Sequence, residues 1–276
     1  MTPKLCELRT LAQSVANGAK LAIPSPNTGV AMAATRELIR YGVRDLHLVC
    51  VPTSGLQADV MIGAGAVAAV ETSAISLGEF GTGPRFAAAA REGTVRILDA
   101  TCAAIHAAVQ AGQKGIPFIP VRGLLETDVL ANRPDWKTIA NPFDPDDPIV
   151  VLPAIRPDVT LFHAPLADRY GNVFIGRWRE LLTMSHAAHE TLVTVERMTD
   201  DNLMDDPNRA PAVIPSLYIT RIAHVPRGAA PVRFGDEYET DQAFMSRYTA
   251  AARTAEGFCN FLREWLAETA PAHVTA

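Results

Sequence analysis

Basic charge, closely spaced cysteines and long apolar runs are all scarce in this sequence. Its 25 lysines and arginines are outnumbered by 30 aspartates and glutamates, which leaves a net charge of -5. With no Lys/Arg stripe interleaved with aromatics, the footprint of a nucleic-acid binder is missing. Cys6, Cys50, Cys102 and Cys259 stand far apart and form no C-x-x-C pair. That argues against a structural zinc site and for reduced thiols in a cytoplasmic protein. The longest apolar run, Val60 to Val70, is bracketed by Asp59 and Glu71. It falls short of the roughly 18 residues a membrane span needs. The first fifteen residues already carry Glu7 and Arg9 and have no apolar core of the signal-peptide kind. The expectation is a soluble, cytoplasmic protein with no membrane or nucleic-acid partner.

Compact catalytic signatures are missing too. No G-x-x-x-x-G-K-[ST] phosphate loop occurs, and Ser54, although followed by Gly55, lacks the G-x-S-x-G elbow. His186 and His189 lie three apart on one helical face, but no H-E-x-x-H pattern or nearby acid completes a metal set. Cys102 opens a helix without a placed base, so a small buried residue is the plainer reading. Gly63 to Ala68 (GAGAVA) spells G-x-G-x-x-A, yet too few residues follow it for a crossover helix. Close backbone packing is the expected reason for these glycines.

What the sequence does have is bulk and rhythm. Its 276 residues are 48% hydrophobic, enough for a sizeable core. Strand-like AKLAIP, DLHLVCV, VRILD and IPFIPV alternate with helical stretches at 5–15, 31–41, 84–93 and 101–115. That alternation predicts an α/β fold, an open and mainly parallel sheet with helices on both faces, in one domain spanning 1–276. Residues 132–148 and 199–215, rich in Pro and Asp, read as surface excursions. Between them come a helix over 180–192 and the strand VTVERM, and the sequence closes on a long amphipathic helix pattern from Asp241 to Thr269. ADRYGN (Ala167 to Asn172) is the sharpest turn signal, with Gly171 and Asn172 suited to left-handed backbone angles. Ala22 to Ile39 reads as strand, loop of small and turn-forming residues, then helix. Such a loop is of the kind that holds an anion or carbonyl oxygen, although this one carries no nucleophile.

The segments GVRDLHLV, VMIGAGAVAAVETSAISLG, FAAAAREGTVRILD, GIPFIPVRGLLETDVL, VTLFHAPLADRYGNVFI and TLVTVERM follow one another in a telling order. In that order the protein resembles the A subunits of family I CoA-transferases, the branch typified by glutaconate and 3-oxoacid CoA-transferases. The tail YETDQAFMSRYTAAARTAEGF resembles the glutaconate type. The resemblance implies a two-chain enzyme, α2β2 with a B subunit, whose substrates are a coenzyme A thioester and a carboxylic acid, and no permanently bound cofactor. It further implies that the nucleophilic glutamate belongs to the B subunit, so that no catalytic residue lies in this chain. Glu71, Glu79 and Glu126 do not sit in the pattern of that nucleophile, and Glu196 reads as structural. Where related A subunits carry a glycine-rich segment, this sequence has Pro24 to Thr28 before Gly29. Asn27, Thr28 and the backbone at Gly29 are therefore the expected oxyanion or carboxylate contacts. Ser73 and Ser76 are expected to offer small polar groups to the acyl portion. Arg122 and Thr127 form a carboxylate-binding pair, unless Arg122 serves a loop salt bridge. Some relatives are ring-opening acyl-CoA hydrolases that use an A-subunit acid near the Ala-rich helix, where this sequence has Asp99. A non-catalytic binding protein of the same type is the third reading.

Overall fold

β2 (Lys20–Pro24) and β3 (Leu46–Val51) are almost wholly apolar rather than alternating. That pattern suits parallel strands covered on both faces. The computed structural model, which describes residues 4–267, places them so. The first half of the protein runs β1 (Lys4–Leu5), α1 (Leu8–Gln13), β2, α2 (Met32–Tyr41), β3, α3 (Leu56–Gly63), β4 (Val67–Thr72), α4 (Pro84–Glu92), β5 (Arg96–Asp99) and α5 (Cys102–Gln113). Local chemistry sets the helix ends. Gly42 and Gly93 close α2 and α4 at φ 80° and 67°, and Thr101 caps α5 by accepting from the Ala104 N–H.

Next comes a small antiparallel sheet in the order β6-β8-β7, built from β6 (Phe118–Val121), β7 (Lys137–Asn141) and β8 (Asp144–Pro153), with α6 (Asp128–Ala131) between the first two. This corrects two expectations. IPFIPV does not join the large sheet; Pro120 lacks an N–H and sits instead on an edge strand, where the loss is tolerated. The excursion at 132–148 is largely a hairpin. Its ladder slips register between Ile139 and Asn141, which lets β8 carry Pro145 and Pro148.

The protein returns through β9 (Val159–Asp168), β10 (Val173–Phe174), α7 (Arg179–Ala187), β11 (Glu190–Thr199), β12 (Val213–Ile214), β13 (Arg221–His224), α8 (Gln242–Ala251) and α9 (Ala255–Ala267). The main sheet runs β1-β13-β11-β9-β2-β3-β4-β5, every neighbouring pair parallel, with β10 and β12 attached antiparallel beside β9. One apolar cluster extends from Leu11 to Trp265. The segment 199–215 is less of an excursion than expected, because Leu203, Val213 and Ile214 are buried.

The long C-terminal helix is in fact two. After Ala252 the Thr254 hydroxyl accepts from the Gly257 N–H and starts α9 afresh, and the expected end at Thr269 lies outside the described residues. Both helices clamp onto α3. The Tyr248 hydroxyl donates to the buried Asp59 carboxylate at 2.6 Å, and Phe258 lies against Gly63, where a Cβ would meet its ring at 2.5 Å. Gly63 therefore ends a helix that leads into β4, the reverse of a strand-to-helix phosphate turn, and close packing accounts for it. Among the described residues, no helix is long and apolar enough to cross a membrane.

Candidate active site

The strand order reverses beside β2. From there the fold winds outward through β3, β4 and β5 on one side and through β9, β11 and β13 on the other. In open parallel sheets the crevice beyond the carboxyl ends at such a reversal receives ligands. Four loops converge there: residues 25–29 after β2, 52–55 after β3, 73–76 after β4 and 100–101 after β5.

These loops are stitched together. Ser25 donates its hydroxyl to the Val51 carbonyl at 3.0 Å and lies 3.2 Å from the Thr53 hydroxyl. Ser73 donates to the Pro52 carbonyl at 3.0 Å and faces the Cys102 thiol at 3.1 Å. Ser54 exchanges backbone hydrogen bonds with Ala74 and Ser76. Within the first loop, Thr28 gives both its N–H and its hydroxyl to the Ser25 carbonyl, the latter at 2.7 Å. Asn27 is exposed with φ 64°, and the N–H groups of Asn27 and Gly29 have no hydrogen-bond partner among the described residues. The Asn27 amide, exposed on a loop stiffened by Pro24 and Pro26, is a donor available to an oxyanion or carboxylate, whereas the unpaired Gly29 amide belongs to a buried residue.

The loop rests on β9. Gly29 has φ +88°, and a Cβ there would stand 2.4 Å from the His163 carbonyl oxygen. In return the Gly29 carbonyl accepts from the His163 N–H at 2.6 Å. The His163 side chain is fully buried in a polar network. Its Nε2 lies 2.9 Å from the Glu196 carboxylate and its Nδ1 2.8 Å from the Thr194 hydroxyl. Glu196 also accepts from the Tyr238 hydroxyl and the Arg227 N–H, each at 2.7 Å. Complete burial depresses the His163 pKa despite the carboxylate beside it, so the ring is neutral. Burial alone would raise that of Glu196, but the His163, Tyr238 and Arg227 hydrogen bonds outweigh it and hold the carboxyl below its ordinary value. Burial and the adjacent carboxylate push the Tyr238 phenol well up. Glu196, read from the sequence as structural, thus anchors the strand that carries the Gly29 loop. His163 and Tyr238 lie 33 and 42 residues from Glu196 in sequence, and no motif spacing points to them.

Ser76 ends the loop after β4, and the remaining expected residues fall elsewhere. Ser76 is exposed and accepts from the Gly78 N–H at 3.2 Å. Arg122 and Thr127 are not engaged with each other: Arg122 forms an ion pair with Asp147 in the small sheet. Thr127 caps α6, accepting from the Leu130 N–H and donating to the Leu124 carbonyl. Asp99 ends β5 with its side chain exposed. Glu71 is buried against Arg133 at 2.7 Å, while Glu79 and Glu126 are exposed away from any cluster. His186 stacks on Tyr218 at 3.7 Å, and no group of His, Cys, Asp and Glu among the described residues is arranged to hold a metal ion. The Asp168 turn is built as a carboxylate clamp. Its oxygens accept from the Tyr170, Asn172 and Leu203 N–H groups, and Gly171 takes φ 88°. Asn172 does not take a positive φ; its side chain instead donates to Asp168, which closes the turn.

The coenzyme A transferase family model matches residues 8–224. The protein is 31% identical to the A subunit of 3-oxoadipate CoA-transferase from Pseudomonas knackmussii, over 96% of its own length (95% of the relative). The crystal structure of glutaconate coenzyme A-transferase from Acidaminococcus fermentans superposes with a TM-score of 0.86 at 27% identity, covering 95% of this protein and 88% of that one. That of a variant of the decarboxylase AibA/AibB superposes with a TM-score of 0.84 at 28% identity, covering 97% and 99%. The match to the family model across most of the sequence, together with the 31% identity to a known A subunit over nearly its whole length, places this protein in the coenzyme A transferase family, as an A subunit.

Proposed function

We propose that this protein, folded as a single unit, forms an α2β2 assembly with a B subunit in the cytoplasm and moves coenzyme A from an acyl-CoA to a carboxylic acid. A B-subunit glutamate attacks the thioester carbonyl and expels CoA thiolate, giving a mixed anhydride. The thiolate attacks the glutamyl carbonyl, forms the glutamyl-CoA thioester and releases the first acid. The acceptor carboxylate attacks that thioester, and the thiolate then attacks the acceptor's acyl carbonyl in the second anhydride and frees the glutamate. Each carbonyl attack builds charge on oxygen. The Asn27 and Gly29 amides face that charge, and the Ser73 and Ser76 hydroxyls receive the acyl portion.

One observation carries this division of labour: the loops offer a free amide and small hydroxyls, while Glu196, the buried carboxylate in the network beneath the Gly29 loop, is already satisfied by three donors. The test uses the two-subunit assembly with a labelled acyl-CoA, followed by hydroxylamine and peptide mapping. Label is expected only on the B subunit, and the present protein by itself is expected to show no exchange. A modified carboxylate among its own residues overturns the reading. A ring-opening hydrolase remains the second reading, favoured by the exposed Asp99 at the β5–α5 junction. It predicts no labelled carboxylate and loss of activity in Asp99→Asn.

A further inference from the structure

One cavity lies away from the loops of the candidate active site. It holds about 590 Å³ between α5, the segment 132–136, the end of β8 and one face of β2–β5. None of residues 25–29 or 73–76 lines it. Its floor follows from the register. Lys20 pairs with His47, His47 with Ala69, and Ala69 with Arg96, so these four form a row across one face of four strands. Three strand spacings of about 4.8 Å put the two outer backbones about 14 Å apart, and Lys20 and Arg96 both line the cavity.

The charges in this cavity are unevenly satisfied. Arg133 is saturated: it donates to Glu71, to Asp135 twice and to the Asp99 carbonyl, all within 3.1 Å. Glu71 and Asp135 are thereby committed to Arg133. Asp158, just before β9, is committed to the Lys20 backbone N–H at 2.8 Å. The side chains of Lys20 and Arg96 make no hydrogen bond or ion pair with any described residue. His47, between them, has its buried Nε2 without a hydrogen-bond partner. Apart from Asn132, the remaining wall is apolar and includes Ile97, Leu98, Ile105, Trp136 and Ile155.

We propose that this cavity binds a small organic anion, its charged head between Lys20 and Arg96 and its apolar body against Ile97, Ile105 and Trp136. Two cations without a hydrogen-bonded partner, beside an imidazole whose Nε2 has only the Glu71 carboxylate at 3.7 Å, are what an anionic head would satisfy. The volume and the aromatic and aliphatic wall suit a chain of several carbons rather than a bare inorganic ion. The imidazole also reports on occupancy. Burial, then Lys20, Arg96 and Arg133, depress its pKa to about 4, with Glu71 and Asp158 as the facing acids. A bound anion opposes those cations and raises it. The inference does not depend on the transfer reaction.

The test is equilibrium dialysis of radiolabelled octanoate against the full-length protein, both alone and assembled with its B subunit, with inorganic phosphate and 1-octanol as competitors. One saturable site per molecule of the protein is expected, weakened at least about 10-fold in the folded double variant Lys20→Ala/Arg96→Ala. Octanol and phosphate should each compete at least about 10-fold more weakly than unlabelled octanoate. Histidine-selective NMR should show the His47 titration moving toward higher pH when octanoate is added. If octanoate occupied the active-site loops instead, its affinity would be unchanged in the double variant, and the proposal would fall. Absence of saturable binding, or phosphate competing as well as octanoate, would overturn it equally. The single variant Arg96→Gln, at an exposed position, gives the same reading should the double variant fold poorly.

Discussion

Gly29→Ala isolates the contact on which the active-site loop rests. The methyl group would be placed 2.4 Å from the His163 carbonyl oxygen, about 1 Å inside the 3.3–3.6 Å of an ordinary C···O contact. Neither side yields easily, because the His163 N–H already donates to the Gly29 carbonyl at 2.6 Å and β9 is paired on both edges. Three costs arise together. A left-handed backbone with a Cβ costs roughly 1–2 kcal/mol, overpacking roughly 1–3 kcal/mol, and a weakened hydrogen bond up to about 1 kcal/mol. Because these overlap, the expected loss is about 3 kcal/mol of stability, or, if the loop shifts to avoid it, a smaller loss with displaced amides. Gly65→Ala supplies the control: its φ is +74° with nothing within 4 Å of a Cβ, so only the backbone cost of about 1–2 kcal/mol applies. Urea unfolding of both variants, with turnover measured in the two-subunit assembly, separates the two. Gly29→Ala should lose more stability, more turnover per folded molecule, or both. If it loses no more of either than Gly65→Ala, the contact with β9 does not hold the loop.

Two further outcomes follow from the same crevice. Glu196→Gln turns one of three acceptor contacts into a donor facing a donor, so stability should fall by about 1–3 kcal/mol. The pH profile should change as well. The depressed Glu196 pKa contributes stability that is present above the ordinary carboxylate range and lost as pH falls through the folded value, and the Gln variant lacks that acid-side decline. His163, also depressed, contributes stability present above about 6.5 and lost below it, which thermal melts from pH 7 to 4 should show in both proteins. Asn27→Ala with Thr28→Val keeps both amides but removes the hydroxyl that ties the loop to the Ser25 carbonyl and strains position 27 at φ 64°, so the amides should be misplaced and turnover should fall by up to the roughly 10²–10³-fold that losing one such donor costs. Size-exclusion with light scattering should find the assembly intact, and wild-type turnover in this variant would remove the loop from the chemistry.

Much of this protein was decided locally. The continuous apolar runs of β2 and β3 announce buried parallel strands, because a strand covered on both faces has no solvent side to make polar. Gly42 and Gly93 mark helix ends, because a left-handed cap suits a residue without a Cβ. The order of segments along the sequence carries the family, and with it the sheet and the two-chain enzyme. Composition misled where Pro and Asp signalled loop but a bulged hairpin formed, since strand pairing depends on a distant partner and local propensity does not fix it. It misled again at Thr254, where packing of Tyr248 and Phe258 on α3 splits one helical pattern into two. Only tertiary structure joined His163, Glu196, Tyr238 and Gly29, which come from two parallel strands and two loops that the winding order brings together. Only strand register aligned Lys20 and Arg96 in one row around a cavity, with their potential partners already taken. The sequence states which groups can donate, accept or carry charge; which of them remain unsatisfied depends on who stands beside them once the protein is folded.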